Sequence, residues 1–219
     1  MQSTFTELLN ADNEVRRRAE EKIKTEHTAN PAAFAQQLIA GLAKDSPQEV
    51  ATLCCVLLKK YFLDARPNSE VQITELSDAD ATQLLQSVTD TFDFEAQPLF
   101  LLKRKGEVLA KLYSRLGQQT QFIQFLAQET AQPQEKRRQF AMYGFEIMSE
   151  LHLTEEQMTS NKKDFQAIFS KMLVDDSIHV RTSALKAITA FISGIDNQDV
   201  VMEFEPILGL LIDTVSKAL

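Results

Sequence analysis

Tryptophan is absent from this 219-residue chain, cysteine occurs twice, and glycine and proline occur six times each. So little Gly and Pro, with 44% apolar and 25% charged residues, excludes collagen-like and low-complexity chains and argues against disorder. No apolar run approaches the roughly 18–20 residues that a bilayer-spanning helix needs. The start, Met1 to Leu9, lacks a basic region followed by a long apolar core, so no signal peptide is expected. The two cysteines, Cys54 and Cys55, are neighbours inside an apolar helical pattern and cannot form an ordinary crosslink. They read as small packing residues of a protein kept in a reducing compartment, cytosol or nucleus.

Net charge is −8 at a pI near 5.0, which argues against a direct nucleic-acid surface and favours basic protein partners. The charge is unevenly spread. Residues 67–100 hold seven acids (Glu70, Glu75, Asp78, Asp80, Asp90, Asp93 and Glu95) and no Lys or Arg, whereas residues 101–138 hold eight bases against three acids. Solvated helix faces account for such alternation, and so does an acidic segment that receives a basic partner.

Only helical periodicity is present. Stripes run Val50, Cys54, Leu57, Leu58, Tyr61; Val108, Leu109, Leu112, Leu116; Phe140, Gly144, Ile147, Met148, Leu151; and Val180, Ala184, Leu185, Ile188, Phe191, Ile192, Ile195. No segment alternates with period two, so no sheet is expected. Pro31, Pro47, Pro98, Pro133 and Pro206 each sit near a helix opening, where a missing N–H is tolerated. Pro67 and Asn68 instead open an irregular stretch that ends at Ser77-Asp78, an N-cap pair.

Helix-start positions Val15, Val50, Leu101, Arg137 and Val180 recur at intervals of 35, 51, 36 and 43 residues, the mark of a helical repeat array. In the first unit an Asp turn (Asn10-Ala11-Asp12) precedes Val15-Arg16 and Ala19; in the fifth, Val174-Asp175-Asp176 precedes Val180-Arg181 and Ala184. This is similar to the HEAT motif, in which Asp caps the second helix and Arg reaches the turn of the next unit. Elsewhere only Lys103-Arg104-Lys105 and Lys136-Arg137-Arg138 occupy the equivalent region. A tetratricopeptide (TPR) array would want a 34-residue period with aromatic landmarks, which argues against it. The expected fold is all-α, a right-handed superhelical solenoid of antiparallel helix pairs with units at about 1–29, 30–66, 67–116, 117–152, 153–195 and 196–219. The last stripe, Ile207, Leu208, Leu211, Ile212 and Val215, is still running at Leu219, so an N-terminal piece of a longer scaffold is expected.

The opening Asp12-Asn13-Glu14-Val15-Arg16-Arg17-Arg18-Ala19-Glu20 resembles the first repeat of importin-beta-type nuclear transport receptors, the karyopherin-beta family. Ala51 to Phe62, with its Leu57-Leu58-Lys59-Lys60, is similar to that family's next inner helix, and Leu102 to Leu112 and Arg181 to Ile188 resemble its third and fifth. In order, the units look most like the karyopherin-beta-3 branch; the Gln-rich turn Gly117-Gln118-Gln119-Thr120-Gln121 is the largest departure.

The resemblance implies a receptor shuttling between cytoplasm and nucleus through the nuclear pore. Its early second helices would bind the GTP form of the GTPase Ran on a concave face. Grooves between first helices would take Phe-Gly nucleoporins, and Ran and cargo would oppose one another by linkage. Carried over, it places Ran contacts at Lys59, Lys60, Lys103, Arg104, Lys105 and Glu107, and a nucleoporin groove at Phe165, Phe169 and Met172, positions that also suit core packing.

An enzyme finds no candidates. His27, His152 and His179 lie far apart near helix ends and read as solvated or capping, and no Walker loop, HExxH, dinucleotide fingerprint or Gly-x-Ser-x-Gly occurs. No cofactor or metal is called for. A general HEAT scaffold for a phosphatase, kinase or other assembly is the alternative, and failure to bind Ran would favour it.

Overall fold

A computed structural model describes residues 2–64 and 73–216, without the side chains of residues 2, 3, 208, 211 and 213–216. Pro67, Asn68 and Glu70 therefore lie outside the described residues, as do the side chains of Leu208, Leu211 and Val215. Among the described residues the chain is helical throughout and no strand occurs. It divides into two compact units, residues 1–112 and 113–219.

In the first unit α1 (Gln2–Leu8) packs on α2 (Asn13–Ala29), and α3 (Pro31–Ala40) packs on α4 (Gln48–Leu58), which runs into a π-helical turn, Lys59–Leu63. α5 (Asp78–Asp90) lies against α3, and α6 (Leu99–Arg115) follows it. Local chemistry sets these boundaries. Asp12 accepts from the Glu14 N–H at 2.8 Å to cap α2. Asn30 does double duty: its N–H donates to Glu26 O while its side chain accepts from Ala33 N, so α2 ends and α3 begins on one residue, with Pro31 in the first turn. Ser77 caps α5 as its sequence position predicts, accepting from Asp80 N at 3.1 Å.

The core of this unit is aromatic. Phe34, Tyr61 and Phe62 are buried around His27, whose ring centroid lies 4.6 Å from that of Tyr61. His27 is thus neither solvated nor a cap, as its place near a helix end suggested. It is 7% exposed, and Nε2 lies 2.8 Å from Thr74 Oγ1, tying the last turn of α2 to the segment leading into α5. Cys54 and Cys55 are buried free thiols, pushed up to about 12 by burial. Cys54 also marks a close approach: a Cβ on Gly41 would sit 2.4 Å from its Sγ, so glycine lets α3 close onto α4.

In the second unit α7 (Gln119–Thr130) and α8 (Glu135–Leu151) form a pair, with Gly117 (φ 66°) in the turn before α7. The short α9 (Glu155–Ser160) opens on a capping box, Thr154 with Gln157. α10 (Lys162–Leu173) pairs with α11 (Ile178–Ser193), and α12 (Gln198–Met202) and α13 (Glu205–Ser216) follow. α8 packs on α11, while α10 packs on α7 and α13, so first and second helices form two layers. A run of phenylalanines joins them: Phe145 to Phe165 at 5.5 Å, Phe165 to Phe191 at 4.7 Å, Phe191 to Phe204 at 5.1 Å between centroids. Each such side chain contributes about 1.5–3 kcal/mol by burial. Ile207 is buried with them, whereas Leu151 and Ile212, both on predicted stripes, are each 67% exposed.

One arginine recurs in the same register. Arg16 donates from Nη1 to Asn10 O and Ala11 O, Arg138 to Gln132 O and Pro133 O, and Arg181 to Asp175 O and Asp176 O. In each case a residue in the opening of the second helix satisfies the carbonyls of its own inter-helix turn. The HEAT-like Arg therefore acts first within its own pair. Contact to the next pair comes from Arg138, whose Nε and Nη2 donate to Asp175 at 2.6 and 3.0 Å.

Candidate interface on the second helices

Three of the predicted Ran-contact residues meet on the second helices of the first unit. Glu107, on α6, accepts from Lys59 Nζ, at the junction of α4 and the π turn, and from Arg104 Nη1 at 2.9 Å. One carboxylate therefore bridges two helices. A second pair, Lys111 to Asp64 at 2.6 Å, repeats the connection at the end of the π turn. These two residues were missed in the sequence, where partners so far apart leave no local signal. Lys60 is exposed, its Nζ 5.5 Å from the Tyr61 ring centroid, and Arg104 keeps half its side chain in solvent. Lys103 is half-buried. The surface left to a partner is thus cationic at Lys60 and Arg104, with Lys59 largely committed to Glu107.

Lys105 does not belong to that surface. It is 0% exposed, and its ammonium donates to Leu42 O at 3.0 Å, Thr91 O at 2.8 Å and Gln97 Oε1 at 3.1 Å. Leu42 and Thr91 stand at the ends of α3 and α5, so one lysine satisfies carbonyls at two helix ends. Burial lowers its pKa to about 8. The signal was present: Lys105 is four residues after Leu101 and four before Leu109, on the buried stripe of α6.

The predicted nucleoporin groove is filled from within. Phe165, Phe169 and Met172 are each at most 1% exposed, and the two phenylalanines pack in the aromatic run between α8, α10 and α11, so none of the three side chains presents a surface to a foreign Phe. Among the described residues no group of three or more His, Cys, Asp or Glu could hold a metal, and no helix is long and apolar enough to cross a membrane.

The profile of the family described as "IPO5-like, TPR repeats" matches residues 103–219, more than half of the chain. The chain belongs to the IPO5-like family. This family is of importin-beta type, as the resemblance of the opening repeats implied, and it consists of karyopherin-like repeats, which are not enzymes. Its description uses TPR, the repeat type that the spacing argued against; both repeat types are antiparallel helix pairs, the architecture seen here. A crystal structure of Kap121p matches this IPO5-like chain with a TM-score of 0.77 at 17% identity, covering 98% of this chain and 20% of that one. At that identity the likeness shows the fold, an all-α helical-repeat solenoid. The chain spans 20% of the length of that structure. No curated protein matches the sequence.

Proposed function

We propose that this chain is the part of a nuclear transport receptor, of the karyopherin-beta-3 branch, that binds Ran in its GTP form. The carrying observation is the Lys59–Glu107–Arg104 bridge, which fixes the two second helices of the first unit and leaves Lys60 and Arg104 facing solvent. Rigid, pre-paired cations of this kind steer an acidic surface on a partner and set register. Lys103 completes the proposed contact; Lys105 supports it from the interior. The six successive units predicted in the sequence are the proposed repeat boundaries.

In this reading the receptor shuttles between cytoplasm and nucleus, carries basic protein cargo and passes Phe-Gly nucleoporins at surfaces other than Phe165, Phe169 and Met172. Its work is binding linkage, without catalysis. Size-exclusion chromatography of the chain with Ran tests it: co-elution is expected with the GTP-loaded form and not with the GDP-loaded form. Absence of a complex with either would favour a general scaffold.

A further inference from the structure

On the first-helix side of the same unit, α3 and α5 are in contact yet leave a groove of about 450 Å³ between them. Its origin is compositional: α3 presents Ala32 and Ala35 there, too short to reach α5. The floor is apolar, the buried Phe62 and Leu84, with Ile39 and Leu76 on the walls. The rim is acidic, with Glu75 and Asp80 both exposed.

No cation opposes them within these elements. α3 has no charged residue at all, α5 has only Asp78, Asp80 and Asp90, and residues 73–77 have only Glu75. An apolar trough with a rim of one sign selects for both features at once. The apolar floor rewards a bulky side chain removed from water, and the carboxylates reward a cation beside it. We infer that the α3–α5 groove docks a linear peptide in which a bulky apolar or aromatic side chain is flanked by Lys or Arg. The occupant differs from a neutral Phe-Gly repeat, which would leave the carboxylates unmatched. It also differs from Ran, whose proposed contacts lie on α4 and α6.

The test is fluorescence anisotropy of the full chain with three labelled dodecapeptides: one carrying a central Phe between lysines, one with those lysines changed to Gln, and one with the Phe changed to Ser. The first is expected to bind; each of the others is expected to bind at least about fivefold more weakly, and the first is expected to weaken as salt rises. Two exposed positions locate the site, with circular dichroism confirming the fold: Glu75→Lys is expected to weaken the first peptide about fivefold, and Ala32→Trp, which fills the trough, to abolish its binding. Equal binding of the Gln peptide, binding indifferent to both substitutions, or no binding of the first peptide would each overturn the inference.

Discussion

Arg138 at the opening of α8 and Asp175 in the turn before α11 form a two-point ion pair, 2.6 and 3.0 Å, that fastens one helix pair to the next. The partners are 16% and 7% exposed, and Asp175 also accepts from the N–H of Ser177, the residue that caps α11, so one carboxylate both holds the cap and links the repeats. Such a pair acts as more than a surface ion pair, because water competes poorly for it.

A double-mutant cycle with Arg138→Ala and Asp175→Ala is expected to give a coupling of about 1–3 kcal/mol in urea unfolding. Burial pushes the Asp175 carboxyl up, but hydrogen bonds from Arg138 and Ser177, with the charges of Arg138 and Arg181, outweigh it and hold it below its ordinary value. Its contribution is therefore complete above about pH 4 and lost as pH falls through the lower folded value. Arg138→Ala is expected to flatten that acid limb. Coupling near zero would show that the pair is incidental.

Lys105→Met keeps the stem and removes the ammonium, leaving Leu42 O, Thr91 O and Gln97 Oε1 without this donor. A loss of about 1–3 kcal/mol is expected in denaturant unfolding, and more for Lys105→Ala. Because burial lowers this pKa from 10.5 to about 8, the unfolded chain binds more protons between those values. Wild-type stability is therefore expected to gain from this residue as pH rises from 8 to 10.5, by up to about 1.4 kcal/mol per unit, and the Met variant to lack that component.

His27 is expected to act in the acid direction. Burial lowers its pKa, so the unfolded state takes up the proton first as pH falls below about 6.5. The thermal midpoint should drop between pH 7 and 5, and His27→Phe, which fits among Phe34, Tyr61 and Phe62, should reduce the drop. An unchanged pH dependence would contradict the assignment.

Gly144 admits Leu126 between α7 and α8: a Cβ there would lie 2.4 Å from one Leu126 methyl and 2.8 Å from the other. Gly144→Ala is expected to cost about 1–3 kcal/mol in thermal unfolding despite the better helix propensity of Ala. Leu126→Ala in the same chain should make that substitution much less costly, whereas additive losses would contradict the steric account.

Helices, caps and stripes were legible because they depend on neighbours in sequence: Asp12 and Ser77 announce α2 and α5, and Val180 to Ile188 announces the buried face of α11. The recurrent arginine was half-legible. Arg16 and Arg181 stood out after an Asp turn, while Arg138, lacking one, proved to make the link to the next pair. What failed was the choice between outward and inward for a charged or aromatic side chain. Lys105 belonged to a basic run yet lies on the stripe of α6, and Phe165 and Phe169 could only be placed once α8 and α11 were known to close over them. The bridge from Lys59 to Glu107 joins helices distant in sequence and has no local signature.

The most direct test of the account is interferometry of Ran loaded with GTP or with GDP against the wild-type chain and the Lys60→Glu/Arg104→Glu double variant, with the exposed Lys171→Glu of the second unit as control. Preference for the GTP form is expected, weakened about tenfold or more by the double reversal, ~1.4 kcal/mol, and unchanged by the control. Equal affinity for the two nucleotide forms, or GTP-dependent binding indifferent to the double reversal, would contradict it.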